Sequence, residues 1–184
     1  MKRRLVEAVS HQDYKQSRYA AQELMQSQMA VYDGKDYQYA DLAVWLGFMR
    51  ALMMIHHSHH WQAMGTSYYG DHELLKKIYE ATQDEVDSLG EKIIALDSPA
   101  LTNYFLQVDH MRAFMEALSD KQKQPLVVSF LSELAFIHVG EGVSKRLQEA
   151  GLLTTGLENL MGGILDRHET HVYLLKQRLA QIKV

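Results

Sequence analysis

The densest group of chemistry-bearing side chains in this sequence is His56-His57-Ser58-His59-His60-Trp61. Imidazoles ligate metals, move protons or simply hydrogen-bond, and histidines at a helix C-terminus also suit the helix dipole. His56 and His60 stand four apart and continue an apolar stripe, so both face inward, where their ring nitrogens need partners. Taken alone, such a pair reads as a hydrogen-bonded core feature. Further along, Glu80, Asp84, Asp87 and Glu91 recur at steps of four, three and four, with Glu85 beside them and no lysine or arginine between Ile78 and Glu91. Like charges four apart cost a helix about 0.2–0.5 kcal/mol per pair. A solvated face tolerates that cost, and a bound cation would reverse it. The chain has no cysteine, so disulfides, thiolate nucleophiles and Cys-zinc sites are excluded. Any metal must be held by nitrogen and oxygen, and ten histidines supply the nitrogen.

Helices must position these groups. The chain has 184 residues, 47% of them apolar, and only two prolines, which suits one domain of long helices. Residues 1–37 form an N-terminal extension with a weakly amphipathic helix over Tyr14–Tyr32, closed by the turn Asp33-Gly34-Lys35-Asp36. From Tyr39, the stripe Leu42, Trp45, Met49, Leu52, Met53, His56, His60 and Ala63 marks one buried face. A loop from Met64 to Gly70 follows, and Asp71 stands as the expected N-cap of a second helix to Leu96. That helix carries Leu75, Ile78, Thr82, Val86, Leu89, Ile93 and Leu96 as its stripe. Ser98-Pro99 opens a shorter helix to about Leu118, within a connection that ends at Gln124. Pro125 starts a third long helix and Gly151 ends it in a left-handed cap. Thr155 and Glu158 form a capping-box pattern for the last helix, whose stripe runs through Leu157, Leu160, Ile164, His168, His171, Leu175 and Leu179. The expected architecture is all-α: residues 38–184 form a ferritin-like four-helix bundle with one long crossover carrying a short helix.

The stretch His60-Trp61-Gln62-Ala63-Met64-Gly65, then Tyr69, His72-Glu73-Leu74 and Asp87-Ser88-Leu89-Gly90-Glu91-Lys92-Ile93 resembles the Dps family, the mini-ferritins named as DNA-binding proteins from starved cells. The family pattern is a His-Trp, a second His twelve residues later, an Asp fifteen beyond and a Glu four further. His60, His72, Asp87 and Glu91 reproduce all three intervals. Residues 40–97 carry the likeness closely, while later helices agree mainly in length and layout. The resemblance implies that these four residues form a di-iron ferroxidase site, with His56, Trp61 and Asp84 as accessory candidates. It also implies a twelve-subunit shell that stores iron as oxide. Three positions depart from the pattern. Lys76 stands where some members carry a further acidic ligand, Gly90 replaces a usual alanine and Asp97 a usual glycine.

Helix geometry bears on how the four could act together. Asp87 lies fifteen residues down the second helix from His72, roughly 22 Å at 1.5 Å per residue, whereas metal–ligand bonds are near 2 Å. One chain cannot close all four around one centre. Two chains can, if their second helices cross antiparallel about a two-fold axis, so that each His pair meets the partner's Asp87–Glu91 pair. Imidazole with carboxylate suits ferrous iron, and also zinc or manganese. A carboxylate-rich site favours ferric iron and so promotes oxidation by peroxide or dioxygen. Trp61, Tyr68 and Tyr69 read mainly as packing groups at the hairpin mouth or a dimer contact, although such rings can also pass an electron.

A second cluster comprises His138 and Glu141 on the third long helix and Asp166, His168, Glu169 and His171 on the fourth. Larger ferritin-like di-iron proteins place Glu-x-x-His on two helices. That motif is absent here, so this cluster reads as polar core contacts. Residues 1–18 hold Lys2, Arg3, Arg4, Lys15 and Arg18 against Glu7 and Asp13, a net +3 that repeated tails could offer to DNA. The whole chain carries −4, which gives no global attraction to nucleic acid. The N-terminus has too short an apolar run for a signal peptide, and no uninterrupted apolar run approaches eighteen residues, so a cytoplasmic protein without membrane spans is expected. Three classes compete: a ferroxidase and storage shell, a non-catalytic ferritin-like metal-binding or structural protein, and an interaction protein using its N-terminal helix.

Overall fold

The computed structural model describes residues 11–118 and 124–180, with side chains from Tyr14 onward. Six α-helices run through them: α1 His11–Met29, α2 Ala40–Gln62, α3 Tyr68–Leu96, α4 Tyr104–Leu118, α5 Pro125–Glu149 and α6 Thr155–Ala180. No strand occurs among the described residues. The four long elements α2, α3, α5 and α6 hold 23, 29, 25 and 26 residues. Helix α2 packs on α3, α4 and α5, while α5 also packs on α6 and α1, and α3 meets α6. The connection from α3 to α5 carries α4, which lies against α2 and α1.

Local chemistry sets most boundaries. Gly34 turns the chain after α1 with φ 73°, and Lys35 N–H donates to the Tyr32 carbonyl at 3.0 Å. Gly151, at φ 70°, ends α5: its N–H donates to Gln148 O and Leu152 N–H donates to Leu147 O, the paired bonds of a Schellman cap. Ser98 Oγ accepts from Ala100 N–H at 3.2 Å and opens the 3₁₀ turn Pro99–Thr102 that precedes α4.

Two caps differ from the sequence expectation. Helix α3 starts at Tyr68, so Asp71 lies inside its first turn, where its carboxylate pairs with Arg178 of α6 instead of capping. A 3₁₀ turn over Gly65–Ser67, entered through Gly65 at φ 80°, lets helical geometry begin four residues earlier. At α6 the capping side chain is Thr154, whose Oγ1 accepts from Leu157 N–H at 3.2 Å, so Thr155 is already the first helical residue. The two threonines are adjacent, and only the one with non-helical backbone can turn its oxygen toward the helix's free N–H groups.

The core has two apolar clusters. The larger joins Trp45, Phe48, Leu52, Leu89, Phe114, Phe136 and Ile164, with Trp45 and Phe136 stacked at 5.2 Å. The smaller joins Leu75, Ile78, Leu126, Phe130, Leu175 and Leu179. Near the junction of the two clusters, α3, α5 and α6 bury polar side chains: Thr82 and Glu85, Ser129, Ser132 and Glu133, His168 and His171. Helix α5 has an 18-residue window of mean hydropathy 1.5, long and apolar enough by composition to cross a membrane. Here 72% of that window is buried inside the bundle, as befits a central helix touching α1, α2 and α6.

Candidate metal centres

The hairpin of α2 and α3 brings His60 and His72 together. Their rings stack with centroids 3.6 Å apart. His60 Nδ1 lies 2.8 Å from the His72 carbonyl, and His72 Nδ1 lies 3.1 Å from the His60 carbonyl. A carbonyl only accepts, so both Nδ1 atoms carry hydrogen, which leaves Nε2 as the atom each ring can offer a metal. This arrangement suits metal binding through Nε2 and is fixed by the backbone of the opposite helix. Around the pair stand His57, whose ring lies 4.3 Å from Tyr79 and 4.2 Å from Trp61, and Tyr68, 5.1 Å from His72. Trp61 and Tyr69 remain 68% and 75% exposed, and Met64 79%, leaving an apolar rim open at the hairpin mouth.

Asp87 and Glu91 are both exposed on α3, as is the accessory candidate Asp84. Neither Asp87 nor Glu91 has a hydrogen bond or ion pair among the described residues. Within one chain they do not join the histidine pair. The fifteen helical residues between His72 and Asp87 hold them about 22 Å apart. Lys76 is half-buried, one turn beyond His72 on the same helix.

His56 faces elsewhere. It is fully buried in the polar layer near the junction of the two apolar clusters, together with Glu133, His168, His171 and Glu85. Glu133 of α5 is the hub: His168 Nδ1 lies 2.6 Å from its Oε2, and His56 Nε2 and His171 Nδ1 lie 2.8 and 3.2 Å from its Oε1. Burial alone would raise the Glu133 pKa, but the charge on His168 and the three imidazole hydrogen bonds hold it well below the carboxylate range. Burial likewise opposes charge on His168, yet Glu133 and Glu85 lift its pKa to about 9. His56 moves the other way: burial lowers its pKa despite Glu133. His59 is pushed down to about 4 by burial and by His56. Glu133, His168 and His171 form a group in which one ligand atom from each lies within 4.8 Å of the others, a set that can hold a metal ion.

Polar side chains continue from this group in both directions. His59 Nδ1–H donates to Ser129 Oγ at 2.8 Å, and Ser129 O–H donates to His56 Nδ1 at 3.1 Å. His59 in turn lines a cavity of about 670 Å³ at the bundle end, with Met64, Asp71, Pro125 and Arg178. On the other side, Glu85 Oε2 lies 3.0 Å from His168 Nε2, and Glu85 Oε1 lies 2.8 Å from Arg167. These are ion-pair distances without hydrogen-bond alignment, and both Glu85 oxygens and His168 Nε2 lack an aligned partner despite their burial.

The second sequence cluster therefore divides. His168 and His171 reach the core, whereas Asp166 and Glu169 are exposed, and His138 pairs with Glu141 at 3.3 Å near the surface. Sequence reasoning missed Glu133 and Glu85. The signal was present: Glu133 lies three beyond Phe130 and four before Ile137, and Ile78, Thr82, Glu85, Leu89 and Ile93 step by four, three, four and four. The stripe expected from the sequence runs through Val86, which is only half-buried.

No protein-family model matches this chain, and no curated protein matches it.

Proposed function

We propose that the protein is a ferroxidase of the Dps type, a ferritin-like bundle that oxidises Fe(II) with peroxide or dioxygen at sites shared by two subunits. The observation that carries this reading is the locked pair His60 and His72, with both Nε2 atoms left to offer a metal from one end of a hairpin. Two imidazoles alone give a weak site for a hard, oxidising iron centre, which prefers oxygen donors. Asp87 and Glu91 are exposed carboxylates one helical turn apart and without counter-charges among the described residues. A two-fold crossing of α3 helices would set them against the histidines of a second copy. The open rim of Trp61, Met64 and Tyr69 is apolar surface that such a contact would cover. Iron enters as substrate and is held as oxide in the closed assembly that this family likeness implies.

The test is rapid mixing of Fe(II) with oxidant, followed by absorbance of the ferric product. The double substitution Asp87→Ala, Glu91→Ala is expected to abolish rapid oxidation. Helicity should stay intact, because both side chains are exposed and removing neighbouring like charges relieves about 0.2–0.5 kcal/mol. Undiminished oxidation in that variant would sink the assignment. The basic residues considered for DNA lie partly outside the described residues, since Lys2, Arg3 and Arg4 precede α1. Lys15 and Arg18 are exposed on α1.

A further inference from the structure

We propose that Glu133, His168 and His171 form a second metal site, distinct from the hairpin pair, that holds one divalent first-row transition ion inside each chain. The three side chains come from two helices and are essentially dry, at 0%, 0% and 5% exposure. One ligand atom from each lies within 4.8 Å of the others. Two bonds of about 2.0–2.2 Å span at most about 4.4 Å, so small inward shifts of the side chains close this group on one ion. Two imidazoles and a carboxylate make a set of intermediate softness, suited to zinc, cobalt or ferrous iron rather than magnesium or calcium. The pair is His-x-x-His on α6, with its carboxylate from α5. This is not the twofold Glu-x-x-His arrangement of larger ferritin-like proteins.

The surroundings are those of a ligated site. A metal-bound histidine characteristically gives its other ring N–H to a carboxylate, which fixes the ring and its tautomer. His168 meets Glu133 through Nδ1, and its Nε2 stands 3.0 Å from Glu85 Oε2. Glu85 is itself tied to Arg167 at 2.8 Å. The ligand carboxylate has its own support, because His56 Nε2–H lies 2.8 Å from Glu133 Oε1 and Ser129 holds the far side of His56. An ion network without metal accounts less well for the chain's choices. Three imidazoles crowd one carboxylate, while Glu85 and His168 face each other buried without an aligned bond. An ion drawing His168 through Nδ1 leaves Nε2–H as a dedicated donor to Glu85. Hydrogen bonds through His56, Ser129 and His59 connect Glu133 to the cavity that His59 lines.

The experiment removes the hairpin pair and exposed carboxylates first, as His60→Ala, His72→Ala, Asp87→Ala and Glu91→Ala in one chain. Chelator-treated protein is then titrated with Co(II), or with Zn(II) followed by thermal unfolding. One ion per chain should bind, with the visible absorption of Co(II) held by nitrogen and oxygen, and the unfolding midpoint should rise with metal concentration. Adding Glu133→Gln or His171→Gln should abolish that binding, and Glu85→Gln should weaken it about 10–100-fold. Circular dichroism establishes that each variant is folded. If a core substitution unfolds the chain, imidazole nitrogen NMR of the four-residue variant decides. Zinc should shift the Nδ1 signals of His168 and His171. Shifts confined to His57, His59 or His138, absence of binding, or binding unaffected by folded core variants would overturn the site.

Discussion

His110 shows what a single buried side chain asks of the rest. It lies on α4 with no exposure, and Gln28 and Tyr32 close over it, at 2.8 Å from Nδ1 and 2.9 Å from Nε2. Gln28 Oε1 can only accept, so Nδ1 carries the hydrogen and the Tyr32 hydroxyl donates to Nε2. Both nitrogens are satisfied in the neutral ring, and burial pushes the pKa down to about 4, against a slight upward pull from Asp109. The folded pKa is thus depressed below the ordinary 6.5, and the unfolded chain takes up the proton first on acidification. Stability from this site is complete above pH 6.5 and falls progressively between pH 6.5 and about 4. Replacing His110 by Gln should flatten that part of a stability–pH curve measured by denaturant unfolding. An unchanged slope would show that other groups govern acid sensitivity.

At the scale of elements, two glycines set how closely helices approach. A Cβ on Gly140 of α5 would lie 2.7 Å from the Trp45 ring and 2.8 Å from Leu165, so the indole packs directly on helical backbone there. A Cβ on Gly47 of α2 would collide with His110 Cβ on α4, an atom that cannot swing away without moving its helix. Gly47→Ala gains about 1 kcal/mol of helix propensity. Overpacking costs about 1–3 kcal/mol and must also disturb the Tyr32–His110–Gln28 contacts. Net destabilisation is expected, read as a lower denaturant midpoint. Gly90, which meets only Leu46 Cδ2 at 3.9 Å, is the control: its alanine variant should gain stability. The first helix also belongs at this scale. Its Ala21 and Met25 are buried, Tyr14 meets Phe130 edge-on at 5.6 Å, and Ser17 donates to the Leu131 carbonyl of α5.

At the scale of the whole molecule, the proposed chemistry depends on a second copy. The sharpest prediction is complementation between two inactive chains, one lacking His60 and His72 and the other lacking Asp87 and Glu91. In a mixed dimer under two-fold pairing, one site inherits both defects and the other inherits none. Random co-assembly makes about half of the dimers mixed, so about a quarter of all sites should regain rapid Fe(II) oxidation. Labelled chains verify the exchange. If verified mixtures stay as inactive as their parents, the four residues do not share a site. Light scattering gives the size of the assembly, with about 250 kDa expected for twelve chains of 21.2 kDa.

The sequence by itself determined the helices and the hairpin, because periodicity, prolines and turn glycines act over three or four residues, and their effects need no partner to be read. It also placed His60 and His72 at one hairpin end, since a short loop forces the ends of its two helices together. The caps at Asp71 and Thr155 were misjudged by a residue or a few, where neighbouring side chains of similar chemistry compete and backbone angles choose. The inward turn of His56, His168 and His171 was legible from their stripes, but their meeting with Glu133 and Glu85 in one buried layer was decided only in tertiary structure. Glu85 and Glu133 alone look like ordinary polar positions on a helix. The layer comes from four helices, distant in sequence, turning these positions to one level near the junction of two apolar clusters. A dry interior then makes every unpaired charge costly, so these groups must face one another.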